Sequence, residues 1–213
     1  MEGARKLYKF CENSETREDM TQYYEKWSDK YDKDAVLDGY QGPALVANAL
    51  ASMYSDSREN IRILDVAAGT GLVGEQLAKQ GFVLIEALDP SQGMLDKAKE
   101  KNVYKTMRCE YFDETPLAIE PGTYDAIVVC GGCNNNHLPC GCLWEVIRLV
   151  KPGGYFVMGT RPDILNTSEE YKDHFGSLID ELENEGKWKK IRRDIVSRYI
   201  FENDGIIFVY QIL

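Results

Sequence analysis

The sequence predicts an α/β fold built on an open, mainly parallel sheet. Three observations carry this. Strand-length apolar runs alternate with stretches of helical periodicity, a glycine-rich turn joins the first such run to a helix, and the last two runs are joined by a tight-turn sequence.

The elements follow in order. Two helices are expected before the sheet, over residues 17–31 and 44–55. Residues 61–66, 82–88, 124–130 and 155–159 are apolar and strand-sized. Buried parallel strands produce such runs because both faces are covered and alternation with polar residues disappears. Helical periodicity fills the intervals at 72–80, 91–101 and 142–150, where Leu143, Val146, Ile147 and Val150 form one stripe. Ser91 suits the N-cap of the second of these helices. Lys151-Pro152-Gly153-Gly154 stops the third, since proline cannot continue a helix and glycine accepts a left-handed cap. A further helix is expected at 169–185, then strands at 189–201 and 206–213 joined by Glu202-Asn203-Asp204-Gly205. Asn and Asp-Gly suit a hairpin turn, so the sheet should end in an antiparallel pair.

With no linker, repeat or low-complexity tract, 213 residues read as one domain, a helical cap over 1–58 on a core over 59–213. Lys and Arg number 25 against 35 Asp and Glu, a net charge of −10. A chain that neutralises many phosphates should lean the other way, so nucleic acid is disfavoured as a partner. No run reaches membrane-span length, and residues 1–19 contain no apolar leader segment. The six cysteines are too sparse for a disulfide scaffold. The expectation is a cytoplasmic protein with reduced thiols.

Gly69, Gly71 and Gly74 satisfy G-x-G-x-x-G between the first strand and its helix. There the backbone must turn sharply and approach a ligand with no Cβ in the way. Asp89 ends the second strand, where a carboxylate can accept both hydroxyls of a ribose. Asp65 chooses between adenosine cofactors. A dinucleotide would bring its diphosphate to this helix N-terminus, opposed by a buried carboxylate, whereas S-adenosylmethionine brings an ammonium. Met94 would then lie one turn into the next helix and cover an adenine face.

The segments 64–74, 87–95, 124–132 and 145–158 (EVIRLVKPGGYFVM), with Tyr24-x-x-Trp27-x-x-x-Tyr31-Asp32, Pro139-Cys140 and Thr160-Arg161, resemble the class I S-adenosylmethionine-dependent methyltransferases over essentially the whole chain. The resemblance implies a Rossmann-like, seven-stranded sheet in the order 3-2-1-4-5-7-6, strand 7 antiparallel, with helices on both faces and lid helices ahead of it. It assigns Asp65 and the backbone of Ala67, Gly69, Thr70 and Gly71 to the methionine moiety of the cofactor. Asp89 falls to the ribose, Met94 to the adenine face, Glu110 and Tyr111, after a third strand at 103–109, to the adenine edge, and Cys130 and Gly131 to the sulfonium, with Pro90 and Ser91 also among the cofactor-binding residues. Ala67 departs from the family's usual glycine.

Met20, Tyr23, Tyr24, Trp27 and Tyr31 recur at helical spacing. Met20 and Tyr23 fit a packing face. Tyr24, Trp27 and Tyr31 suit a lid that surrounds a sulfonium with aromatic rings. The run Cys130-x-x-Cys133-x-x-x-His137-x-x-Cys140-x-Cys142 has zinc-type ligands at poor spacing, so no metal is expected. His137 is the candidate general base. Asn134, Asn135, His137 and Arg161 are the candidate acceptor-binding residues, and His174 is a surface residue. The basic residues between Lys187 and Arg198 read as a solvated strand.

These readings point to methyl transfer from S-adenosylmethionine to a nitrogen or oxygen of a small molecule by in-line displacement. Alternatives are a protein or RNA methyltransferase, a non-catalytic module that binds the same cofactor, and a dinucleotide oxidoreductase.

Overall fold

A computed structural model describes residues 16–213. The reading of residues 1–19 as free of a leader segment, and the start of the proposed 1–58 cap, therefore fall largely outside the described residues. Helix α1 (Arg17–Leu37) and α2 (Gly42–Ala51) precede the sheet. The alternating core is β1 (Arg62–Val66), α3 (Leu72–Lys79), β2 (Leu84–Leu88), α4 (Gln92–Glu100), β3 (Tyr104–Arg108), β4 (Tyr124–Cys130), α5 (Cys142–Leu149) and β5 (Val150–Thr160). Then come α6 (Pro162–Thr167), α7 (Phe175–Asn184) and a hairpin of β6 (Trp188–Ile200) and β7 (Asn203–Ile212). The seven strands lie in the order β3-β2-β1-β4-β5-β7-β6, with β7 antiparallel to both neighbours.

The apolar runs are continuous because each central strand feeds two cores. Ile127, Val129, Phe156 and Met158 face one layer with α5 and α7, while Ala126, Val128 and Val157 face the other with α2 and α3. Ser91 is the N-cap of α4, its hydroxyl accepting from the Met94 amide at 3.2 Å. Edge strand β6 carries Lys189, Lys190, Arg192 and Arg193, and exposed cations on an edge discourage pairing with another chain. Arg192 is bonded to Asp194, and His174 is exposed. No helix among the described residues is long and apolar enough to cross a membrane.

Three expectations are corrected. Helix α1 continues to Leu37, six residues past the expected end. Strand β5 starts at Val150, so Lys151–Gly154 form an irregular stretch inside a strand, with Gly153 at φ +85°. The hairpin turns on Phe201 and Glu202, because Ile200 already pairs with Asn203. Phe201 takes φ +53° and its amide donates to the Asp38 carbonyl at 2.9 Å, which ties the turn to the α1–α2 connection. Gly205 serves packing instead of turning: a Cβ there would stand 2.4 Å from the ring of Tyr199, whose side chain folds across β7.

Candidate functional site

The carboxyl ends of β1, β2 and β4, roofed by α1, line a cleft open to solvent, of about 700 Å³ with its mouth included. A second chamber of about 670 Å³ adjoins it between α1, β5, α6 and the hairpin. Tyr24, Tyr31, Gly131 and His137 line both.

In the first cleft Asp89 is held at the end of β2 by two backbone donors, the amides of Gly69 at 2.8 Å and Ser91 at 2.9 Å. Burial nevertheless raises its carboxyl to about 6. Gly69 lines the cleft at φ +55°, and a Cβ on it would meet no protein atom within 4 Å. Ala67 lines it too and holds φ +55°, an arrangement that suits the glycine usual at this position. Met94, Pro90 and Tyr111 complete the side expected for adenine.

Beyond α1, five of the expected cofactor residues do not line the cleft. Asp65 lies fully buried beneath the loop, accepting from the Tyr104 hydroxyl at 2.6 Å, and burial pushes its carboxyl up to about 7. Its other oxygen has no hydrogen-bond partner among the described residues. Thr70 turns away to Asp32, whose other oxygen takes Lys101 at 2.5 Å. Gly71 contacts Tyr104 and Ala98 instead of the cleft, and Ser91 spends its side chain on the α4 cap and on Glu25. Glu110 likewise pairs with Arg108 at 3.1 Å and does not line the cleft; Phe112 does.

This distribution answers which cofactor the loop fits. Asp89, Asp65 and Asp32 converge on the glycine turn, and Glu25 of α1 takes the Gly93 amide at the start of α4. The positive ends of both helices already face the chain's own carboxylates, which would repel a diphosphate and tolerate a cation. The same contacts seat the roof: Glu25 on Gly93, Asp29 on Lys97 at 2.8 Å and Asp32 on Lys101 follow one stripe of α1 along α4. At its start Arg17 bonds Asp113 at 2.8 Å and lies over the Tyr111 ring.

At the shared wall, His137 Nδ1 lies 2.8 Å from the Asn135 carbonyl, which can only accept. Nδ1 therefore carries the proton, and Nε2 accepts from the Tyr24 hydroxyl at 2.9 Å. Burial lowers the His137 pKa below its ordinary value, which keeps the ring neutral near pH 7. His137 is half-buried in the loop that follows β4.

The second chamber receives Trp27, Asn134 and Arg161. Trp27 thus belongs to this side and not to the cofactor cleft. Asn135 does not line it; its side chain accepts from Ser168 at 2.6 Å while its carbonyl orients His137. Arg161 bonds Asp163 through Nε at 2.9 Å. Below the wall, Cys130 Sγ lies 3.2 Å from the Tyr40 hydroxyl and 3.3 Å from that of Tyr199, and burial raises the thiol to about 12. Cys133 faces Met158, and Cys140 and Cys142 enter the core. Among the described residues no group of three His, Cys, Asp or Glu side chains could hold a metal.

Several lining residues had no motif to announce them: Arg17, Thr21, Phe112 and Leu138 in the first cleft, and Asp38, Tyr40 and Tyr199 in the second. Met20, expected as packing, also borders the first cleft. Tyr199 alone left a trace, since a lone glycine in a strand marks a close approach, and Gly205 is that glycine.

The sheet order, the glycine turn after β1 and the acid after β2 are those of a class I methyltransferase. A model of the family described as "Methyltransferase domain" matches residues 63–154. The chain is 32% identical to human Methyltransferase-like protein 27 over 167 residues, covering 78% of this chain and 67% of that protein. It is 31% identical to a demethylmenaquinone methyltransferase of Corynebacterium glutamicum over 129 residues, 60% of this chain and 54% of that enzyme, so it spans only about half of that relative. In three dimensions it is similar to a SAM dependent methyltransferase from Aquifex aeolicus, with a TM-score of 0.62 at 18% identity, covering 89% of this chain and 98% of that one. The chain belongs to the S-adenosylmethionine-dependent methyltransferases, and S-adenosylmethionine is its cofactor.

Proposed function

We propose that the protein methylates a small organic molecule at nitrogen or oxygen, with the cofactor in the first cleft and the acceptor in the second chamber. The observation that carries this is the wall the two share: Tyr24, Tyr31, Gly131 and His137 border both spaces. When bound, S-adenosylmethionine supplies an electrophilic methyl on a sulfonium whose leaving group is already in place.

The chain's own residues then align, exclude water and move one proton. Asp89 holds the ribose hydroxyls, Met94, Pro90 and Tyr111 pack the adenine, and the backbone from Ala67 to Gly69 borders the amino-acid tail. Thr70, Gly71, Ser91 and Asp65 act one step back by fixing the loop and the start of α4. Cys130 and Gly131 floor the transfer point. Asn134 and Arg161 face the acceptor, and Asn135 fixes the His137 tautomer. His137 is the general base, reached through the Tyr24 hydroxyl. The chamber is walled by α1, α6 and the hairpin, which suits a small molecule better than a folded protein or an RNA strand, and the net charge of −10 agrees. The demethylmenaquinone methyltransferase relative, too, is named for a small acceptor.

Incubating the protein with methyl-labelled cofactor and fractionated cell extract tests this. Label should enter the small-molecule fraction. Label found only on protein or RNA, or cofactor binding with no transfer at all, would overturn the reading.

A further inference from the structure

The second chamber carries a chemical signature of its own. Five aromatic side chains line it, Tyr24, Trp27 and Tyr31 from α1, Tyr40 from the α1–α2 connection and Tyr199 from the hairpin, together with the carboxylate of Asp38. The α1 rings are tightly grouped: Trp27 and Tyr31 stand 4.8 Å apart in an edge arrangement, and Tyr24 and Trp27 are stacked at 6.1 Å. Tyr40 and Tyr199 meet edge-on at 5.5 Å. Asp38 is only 4% exposed. Among the described residues the one permanently cationic side chain lining the chamber, Arg161, has Asp163 against its guanidinium. Aromatic faces carry negative charge density, and a box of them beside a carboxylate attracts an organic cation while offering little to an anion.

Resting on the two-chamber reading above, we propose that the acceptor is an amine, bound as its ammonium among these rings and Asp38, so that the reaction is N-methylation. An ammonium has no lone pair, and one proton must leave first. The Tyr24 hydroxyl, hydrogen-bonded to His137 Nε2, takes the N–H proton while passing its own to the imidazole, whose Nδ1–H stays on the Asn135 carbonyl. The freed nitrogen lone pair forms the N–C bond to the methyl carbon. The S–C bond breaks with its electron pair going to sulfur, which becomes a neutral thioether as nitrogen takes up the positive charge. The proton held by His137 is then released to solvent, one proton per turnover. A cage that prefers cations serves both ends of this reaction, since acceptor and product are each ammonium ions.

The test compares two probes of equal shape on the whole protein saturated with S-adenosylhomocysteine: benzyltrimethylammonium and its carbon isostere neopentylbenzene, each titrated by calorimetry. The cation should bind at least about tenfold more tightly. Trp27→Leu and Asp38→Asn should each cut that preference several-fold, and the wild-type ratio reads the cage even if either variant folds poorly. Equal binding of the two probes overturns the proposal. A labelled-methyl panel of amines, phenols and carboxylic acids separates the two levels of inference. Transfer to amines supports the proposal. Transfer to phenols or acids alone overturns the amine while leaving a small-molecule methyltransferase, and transfer only to macromolecules overturns both.

Discussion

The two halves of the cleft are built in different ways. The floor of the cofactor half is short-range: β1, its glycine turn, β2 and the α4 cap supply Ala67, Gly69, Asp89, Pro90 and Met94 from a single stretch of chain, while α1, Tyr111, Phe112 and the segment after β4 close it from above. Its polar contacts are largely backbone amides fixed by glycine and by helix caps. The acceptor half draws on α1, the segment after β4, the end of β5 and the β6–β7 hairpin, and its contacts are side chains. A site made of main-chain geometry tolerates little change in what it binds, whereas one made of side chains from four segments can be altered a residue at a time.

The largest expected effect tests that division from the acceptor side. His137→Ala should lower kcat by about a hundredfold or more while leaving the dissociation constant for the cofactor nearly unchanged, as loss of a general base predicts. In the wild type the required form is neutral imidazole. Burial lowers its pKa, so kcat/KM should be level near pH 7 and fall only as pH drops through a value below 6.5. For an amine acceptor the variant's deficit should shrink at high pH, where solution already supplies the free base. A purely structural His137 would give a deficit that no pH repairs, and calorimetry showing lost cofactor affinity would erase the boundary between the halves.

Asp89→Ala probes the other half. Each of its oxygens holds a backbone amide, and removing a buried charged acceptor costs about 1–3 kcal/mol, so cofactor affinity should fall roughly five- to 150-fold. The wild-type preference for a cationic probe in the second chamber should survive. Loss of that preference would mean that the loop and the aromatic chamber form one cooperative unit.

The same division explains what could be read from the chain. The parallel core, the terminal hairpin, the Ser91 cap and Asp89 were legible because each depends on residues close in sequence: an apolar run, an Asn-Asp-Gly cluster, a cap and its amide. The hairpin turn was misplaced because a tertiary bond from Phe201 to Asp38 fixes it two residues earlier. Trp27 was assigned to the cofactor because helical spacing gives a face but not what that face meets. Asp65 was expected at the ligand because a carboxylate before a glycine loop looks available, yet the Tyr104 hydroxyl, from the far edge strand, draws it under the turn. Asp38 and Tyr40 were invisible and Tyr199 left only the mark of Gly205, since only the folded hairpin brings them together.

Ala67 offers the finest test. It holds φ +55° in the turn that borders the cofactor, where a Cβ crowds the following carbonyl and costs about 1–2 kcal/mol. Glycine would remove that strain but loosen the unfolded chain, which returns part of the gain. Ala67→Gly should therefore stabilise the protein by about 0.5–1 kcal/mol, seen as a rise of roughly 2 °C in Tm. Cofactor affinity should change little, because the contact offered is main chain. A fall in Tm would instead assign the Ala67 methyl a packing role against Gly132, where a Cβ would stand 3.2 Å away. In that case the departure from glycine is a deliberate plug between the loop and the segment that carries His137, and the two halves of the cleft are joined there by side chains after all.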